Sequence, residues 1–165
     1  MENTHYLTAL VKNCSGVLTR ISGLFARRGY NIESLTVCKT EDTSLSRMTI
    51  VVSGDEKIIN QIKKQLEKQV EVIQVEELDV DNSVIRELLL IMIEVTSDRR
   101  AEAINICNIF KANIVDITPD SLMLQLTGKP QKIDAFVNVV ESAFKVTIIA
   151  RSGASALKRG VQYED

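Results

Sequence analysis

The feature of this 165-residue sequence that most restricts its fold is an internal repeat. Residues 5–75 predict a strand, a helix, two strands, a helix and a strand, and residues 87–150 predict the same series again. The segments that connect the elements are also similar in the two repeats: SGDEKI corresponds to TGKPQKI, and GYNIESL corresponds to KANIVDI. The repeated plan predicts an α+β protein with two ferredoxin-like βαββαβ domains in tandem, each with an antiparallel sheet and two helices on one face.

The first repeat carries clear periodic patterns. Apolar residues between Val17 and Arg28 recur at helical spacing, and Gly29 is placed to end that helix. Asp55 is the predicted N-cap of the next helix. In the strand of residues 45–53, alternation predicts that Met48, Ile50 and Val52 point inward and that Arg47 and Thr49 point outward.

A polar break, DVDNS, separates the two repeats. We therefore predict a first domain at residues 1–78, a linker at 79–84 and a second domain at 85–165. The second domain would end in a basic tail, SALKRG, at residues 155–160. The tail is compatible both with disorder and with contact to a partner.

Composition excludes several classes of function. Twenty basic and 22 acidic residues give a net charge of −2, which lacks the positive field that nucleic acids require. No apolar run approaches the roughly 18 residues of a membrane span, and no basic and apolar leader opens the sequence. We expect a soluble cytoplasmic protein without nucleic-acid or membrane partners.

The sequence also lacks the usual residues of catalysis. Cys14, Cys38 and Cys107 are too widely spaced for zinc ligation or a redox dithiol, and we expect three free thiols. His5 is the single histidine, and we expect neither a catalytic residue nor a metal ligand in this chain. A thiol enzyme would have only His5 as a histidine partner for its nucleophile. The glycine pattern matches neither a P-loop nor a dinucleotide fingerprint, and the residues permit binding without chemistry.

The loop NCSGVL, residues 13–18, is the best candidate binding element. Gly16 permits close approach of a ligand, and the N–H groups at the start of the following helix suit a carboxylate. An ordinary capped turn explains the same residues. Asn31 could contact an amino or carboxylate group, or it could stabilise its own turn. The second repeat has TSDRRA at the matching place, without glycine, so we assign any binding to the first domain.

Three stretches carry a resemblance to a known family: SGVLTRISGLFARRGYNIESLTV, LSRMTIVVSGDEKIINQIKKQLEKQVEVIQV and the terminal ARSGASALKRG. The chain resembles, nearly end to end, the small regulatory subunit of acetolactate synthase (acetohydroxyacid synthase). The resemblance implies that the first unit is an ACT domain, which binds an amino acid between two copies. It implies an effector site formed by Asn13, Ser15, Gly16, Val17 and Leu18, with Asn31 and Ile32 of the other protomer opposite.

The same resemblance implies the function. The large catalytic subunit of that family carries thiamine diphosphate, magnesium and FAD, and the small subunit binds none of these cofactors. A homodimer of small subunits would activate the large subunit and confer feedback inhibition by valine, leucine or isoleucine in branched-chain amino-acid biosynthesis. The alternative is a stand-alone ACT-type amino-acid sensor of another enzyme or of a transcription regulator. A regulator of transcription would need a helix-turn-helix segment, which the sequence does not offer.

Overall fold

The structure, a computed structural model, describes residues 3–160. Its first series of elements is β1 (Asn3–Lys12), α1 (Val17–Arg28), β2 (Ile32–Lys39), β3 (Leu45–Gly54), α2 (Glu56–Glu67) and β4 (Val72–Leu78). Its second series is β5 (Ser83–Glu94), a 3-10 turn (Ser97–Arg99), α3 (Arg100–Phe110), β6 (Asn113–Ile117), β7 (Ser121–Gly128), α4 (Pro130–Ala143) and β8 (Lys145–Arg151). A short strand, β9 (Ser155–Lys158), follows.

The described residues form two compact units. The first unit consists of residues up to Val84 together with those from Ala154 onward, and the second of Ile85–Gly153. This division differs from the predicted domain limits, because the tail groups with the first unit. Its attachment is explained by Ala154, whose N–H donates to Ser34 Oγ (3.1 Å) and whose carbonyl accepts from Thr36 Oγ1 (2.7 Å).

The first unit contains an antiparallel sheet in the order β2-β3-β1-β4, with α1 and α2 on one face. The ferredoxin-like plan predicted from the repeat is confirmed. The inward residues of the sheet and the apolar stripes of the two helices form one core, because burying both stripes on the sheet removes the most apolar surface from water. The fully buried members with the largest side chains are Leu7, Ile21, Phe25, Met48, Ile50, Ile59, Ile62 and Leu66.

The helix ends of the first unit follow the sequence signals. Asp55 caps α2, accepting a hydrogen bond from the N–H of Ile58 at 2.8 Å. Gly29 ends α1 with a φ of 69°, a left-handed conformation that glycine adopts without cost. The apolar pattern VEVIQV predicts a strand at residues 70–75, and this start was wrong by two residues. β4 begins at Val72, after a turn in which the Val72 N–H donates to the Gln69 carbonyl.

The opposite face of this sheet is also covered, which the sequence did not predict. Residues Ala154–Lys158, here called the strap, lie close to β1 and β4. Ala154 and Ala156 are 3% and 2% exposed. Thr49, which alternation places on the outward face, is therefore buried rather than exposed to solvent.

The second unit has an antiparallel sheet in the order β6-β7-β5-β8, and α3 and α4 pack on it to enclose a separate core. Glu87, a buried residue of β5, accepts two hydrogen bonds from the guanidinium of Arg151 on β8, at 2.8 and 2.7 Å. Arg151 also donates to Asp134 on α4. Hydrogen bonding to Glu87 raises the pKa of Arg151 above its ordinary value, so this buried carboxylate is paired with a permanent charge.

None of the helices within residues 3–160 has the length and apolar character that crossing a bilayer requires.

Candidate functional site

A small pocket lies in the first unit where the loop after β1 meets the start of α1. Its volume is about 120 Å³. Apolar side chains line most of it, which suits a small aliphatic group. The lining residues are Val11, Lys12, Asn13, Cys14, Val17, Leu18, Val37, Ser46 and Met48.

The floor of the pocket is the helix-covered face of the sheet. Val11 lies opposite Ser46 in the pairing of β1 with β3, and Val37 lies opposite Met48 in the pairing of β2 with β3. Directly paired residues share a face, so these four side chains form a compact patch. Met48 is fully buried whereas Val37 is 44% exposed, which makes Val37 the part of the floor nearest to solvent.

The wall above the floor is the loop that leads into α1. Gly16 stands at the N-cap with a φ of 87°, and no side chain caps the helix. The N–H groups of the first turn therefore remain for a ligand, and the positive end of the helix dipole favours an anion there. The first turn contains no acidic residue, so no carboxylate of the helix repels an anion at this end.

Asn13 ties this loop to the β2–β3 hairpin. Its Nδ2 donates to the carbonyl of Thr43 (2.8 Å), and its N–H donates to the carbonyl of Ser44 (2.6 Å). Asp42 holds the hairpin loop in turn, because the hydroxyl and N–H of Ser44 both donate to it and lower the pKa of its carboxyl. The Oδ1 atom of Asn13 remains as a hydrogen-bond acceptor beside the pocket.

The structure brings some of the predicted site residues together and separates others. Asn13, Val17 and Leu18 line the pocket, while Ser15 and Gly16 belong to the same loop without lining it. Asn31 and Ile32 are at the far end of β2, since Ile32 pairs with Val52 rather than with Met48. Within one chain they do not reach the pocket, and their predicted role on the other protomer stays a prediction.

Sequence reasoning missed the floor of the pocket. Val11, Val37, Ser46 and Met48 belong to three strands whose order in the sheet was not known from the sequence. The alternation in β3 did predict that Met48 points inward. The missing information was which residues of β1 and β2 lie opposite it.

A second, open groove of about 720 Å³ lies at the corresponding place in the second unit. Arg100 occupies it, and its Nη2 donates to the carbonyls of Thr118 and Pro119 at 2.5 and 2.6 Å. Although this groove is larger, it is shallow, and Nη2 of the Arg100 guanidinium is already bound to backbone. The smaller pocket of the first unit has the better shape for a ligand.

A βαββαβ unit with an amino-acid-sized pocket beside a glycine loop is typical of regulatory ACT domains. The family model described as "AHAS small subunit-like ACT domain" matches residues 7–74, and the one described as "Small subunit of acetolactate synthase" matches residues 86–160. The chain belongs to the family of acetolactate synthase small subunits.

Individual relatives agree with the family models. The probable acetolactate synthase small subunit of Archaeoglobus fulgidus is 46% identical over 156 residues, covering 94% of this chain and 97% of that protein. The isozyme 3 small subunit of Escherichia coli K12 is also 46% identical, over 93% of this chain and 94% of that protein. The crystal structure of the small subunit from Thermotoga maritima is 38% identical, with a TM-score of 0.87, and covers 97% of this chain and 99% of that one.

These matches confirm the resemblance seen in the sequence motifs and the predicted fold. The chain is a regulatory, non-catalytic subunit of acetolactate synthase. Its membership in a small-subunit family implies a catalytic partner subunit.

Proposed function

We propose that the first-unit pocket binds valine, or leucine or isoleucine, and that the chain thereby regulates its catalytic partner. The observation that carries the proposal is the pocket itself, where Val11, Val17, Leu18, Val37 and Met48 surround a space beside an uncapped helix N-terminus. An amino acid with a branched aliphatic side chain would match both features, with its side chain on the apolar lining and its carboxylate at the helix N-terminus.

Each group of the ligand has a counterpart. The carboxylate would accept hydrogen bonds from the first-turn N–H groups of α1, at the positive end of the helix dipole. The ammonium group would donate to Asn13 Oδ1 and to backbone carbonyls. The side chain would lie on Val37 and Met48, where each buried CH₂ or CH₃ contributes about 0.8 kcal/mol.

We further propose that two copies pair through their ACT domains. β2 is an edge strand of its sheet, with one side free of strand partners in the described chain. Leu18 and Val37, both about half exposed, lie at the mouth of the pocket, and pairing would bury them. Asn31 and Ile32 of the second copy would then close the site.

In this proposal the catalytic subunit supplies all the chemistry. It would hold thiamine diphosphate, magnesium and FAD, and would condense pyruvate with pyruvate or 2-oxobutyrate. The small subunit would raise that activity several-fold without effector and lower it when the effector binds. Such opposite responses require that the effector favours one conformation of the complex over another.

Reconstitution with the catalytic subunit tests the proposal. Acetolactate formation would be measured for each chain alone and for the mixture, with and without valine, leucine or isoleucine. We expect no activity from the small chain alone, activation in the mixture and inhibition by at least one of the three amino acids. Turnover of pyruvate by the small chain alone, or a mixture no more active than the catalytic subunit, would contradict it.

The pairing is tested separately by light scattering at micromolar concentration. We expect the mass of a dimer. A monomer under these conditions would contradict the pairing and leave Asn31 and Ile32 without a role in the site.

A further inference from the structure

The strap and the pocket meet on opposite faces of the same strand, β2. Val37 faces the pocket, whereas its neighbour Thr36 faces the strap and donates from Oγ1 to the Ala154 carbonyl at 2.7 Å. Ser34, two residues earlier on that face, accepts from the Ala154 N–H at 3.1 Å. Both polar backbone atoms of Ala154 are therefore bonded to β2, and any shift of β2 has to move or break these bonds.

The strap is anchored at both edges of the sheet. Thr36 pairs with Thr49, Thr49 with Thr8, and Thr8 with Glu76, so these four residues form one row from β2 to β4. Ala154 binds the β2 end of the row, and Lys158 lies with its Nζ 3.2 Å from Glu76 Oε1 at the β4 end. The strap thus holds the sheet edge to edge.

The small side chains of the strap allow this close approach. Ala154 and Ala156 are almost completely buried, as are Thr8 and Thr49 in the row beneath. Larger side chains at 154 or 156 would lift the strap away from the hydroxyl groups. Within one chain β2 has a single strand neighbour, β3, and the two hydrogen bonds to Ala154 add a second attachment on the face opposite the pocket.

We propose that the strap is a regulatory element that sets the position of β2 and, through Val37, the affinity of the pocket for its effector. Ser34 and Thr36 are positioning residues, since they act through β2 and do not touch the ligand. Because coupling between two sites is reciprocal, effector binding would in turn tighten the strap. This inference rests on the proposed amino-acid binding.

The test uses the full chain with Ser34→Ala and Thr36→Val combined, which removes both bonds to Ala154 and keeps side-chain size. Thr36→Ser, which retains the hydroxyl, is the rescue variant. Thr147→Val is the matched control, because Thr147 Oγ1 also donates to a backbone carbonyl, that of Met92, in the second unit. Valine affinity would be measured by calorimetry, and amide exchange of residues 32–39 by mass spectrometry.

We expect the double variant to bind valine about three- to tenfold more weakly, at the lower end of typical coupling between two sites, because the lost bonds weaken the free chain as well as the complex. Its β2 amides should exchange faster without ligand, while Thr36→Ser and Thr147→Val keep the parent's affinity. In the parent, valine should slow exchange of the Ala154 amide. A double variant that melts at lower temperature but binds valine like the parent would overturn the inference, because the strap would then be structural only. A parent that binds none of the three amino acids would instead refute the proposed function, and the inference with it.

Discussion

Replacing Gly16 by aspartate is the sharpest test of the pocket. The backbone at Gly16 has a φ of 87°, which costs an L-residue about 1–2 kcal/mol, with the lower end applying to aspartate and asparagine. A Cβ there would meet only Nε and Nη2 of Arg20, both at 3.9 Å, an ordinary contact. We therefore expect the fold to survive with a modest loss of stability.

The main effect should be on the ligand. A carboxylate at the start of a helix gains about 0.3–2 kcal/mol from the dipole, and the introduced aspartate would occupy that place with a charge of the same sign as the ligand carboxylate. Losing about 1 kcal/mol of attraction and adding a similar repulsion weakens valine binding roughly 30-fold, at 1.4 kcal/mol per factor of ten. Arg20 offsets this only in part, since its side chain is 58% exposed and already paired with Glu71.

Two controls separate charge from backbone strain. Gly16→Asn has the same shape without the charge, and Gly29→Asp puts the same side chain in a left-handed position, φ 69°, at the other end of α1. Calorimetry would give valine affinity, thermal unfolding the stability, and the reconstituted enzyme its activation and inhibition. We expect Gly16→Asp to keep activation and lose inhibition, and Gly29→Asp to keep both. Parent-like valine affinity in Gly16→Asp would refute the assignment of the loop to the ligand carboxylate.

Other expected outcomes concern both units. Asn31→Ala should weaken valine binding by about 1.5–3 kcal/mol, the value of a hydrogen bond to a charged group, and abolish inhibition; unchanged calorimetry would contradict it. Valine should bind at least about tenfold more tightly than alanine, because it buries two more carbon atoms, and equal affinities would exclude an apolar floor. Arg151→Met should lower the free energy of unfolding in urea by about 1–3 kcal/mol, since it leaves the buried carboxylate of Glu87 without its partner. The loss is smaller than for a fully buried pair because Arg151 is 36% exposed. Burial raises the pKa of the Cys107 thiol, so iodoacetamide at pH 8 should modify this residue only after unfolding. Because the thiol ionises more easily in the unfolded chain, the free energy of unfolding should fall as the pH rises above about 8.5.

The helix ends show how far local sequence reaches. Asp55 and Gly29 were predicted as caps because capping depends on a residue type and on neighbours within one turn. The order of elements followed in the same way from local periodicity. The start of β4 was misplaced because the turn at Gln69, which precedes it, is closed by a backbone hydrogen bond. Such a bond does not require a particular residue type, so the sequence gives no signal for it.

Thr49 shows where such reasoning ends. Alternation assigned it correctly to the face opposite the core, and solvent was the expected neighbour on that face. The strap covers it instead, and Ala154 is separated from Thr36 by more than a hundred residues of chain. A hydrogen bond between residues so far apart produces no periodic pattern in the sequence. Thr36 fits the alternation of its own strand whether or not Ala154 lies beside it.

By itself, the sequence determined the duplicated βαββαβ plan, the glycine loop at the start of α1 and, through its motifs, the family. Those properties depend on local periodicity, on the backbone freedom of single residues and on motifs of consecutive residues. Only the tertiary structure decided that Val11, Val37, Ser46 and Met48 form the floor of the pocket and that the C-terminal strap closes the other face of β2. The reason is physical: strand order and register result from the joint burial of every apolar face in the unit, which no single segment encodes.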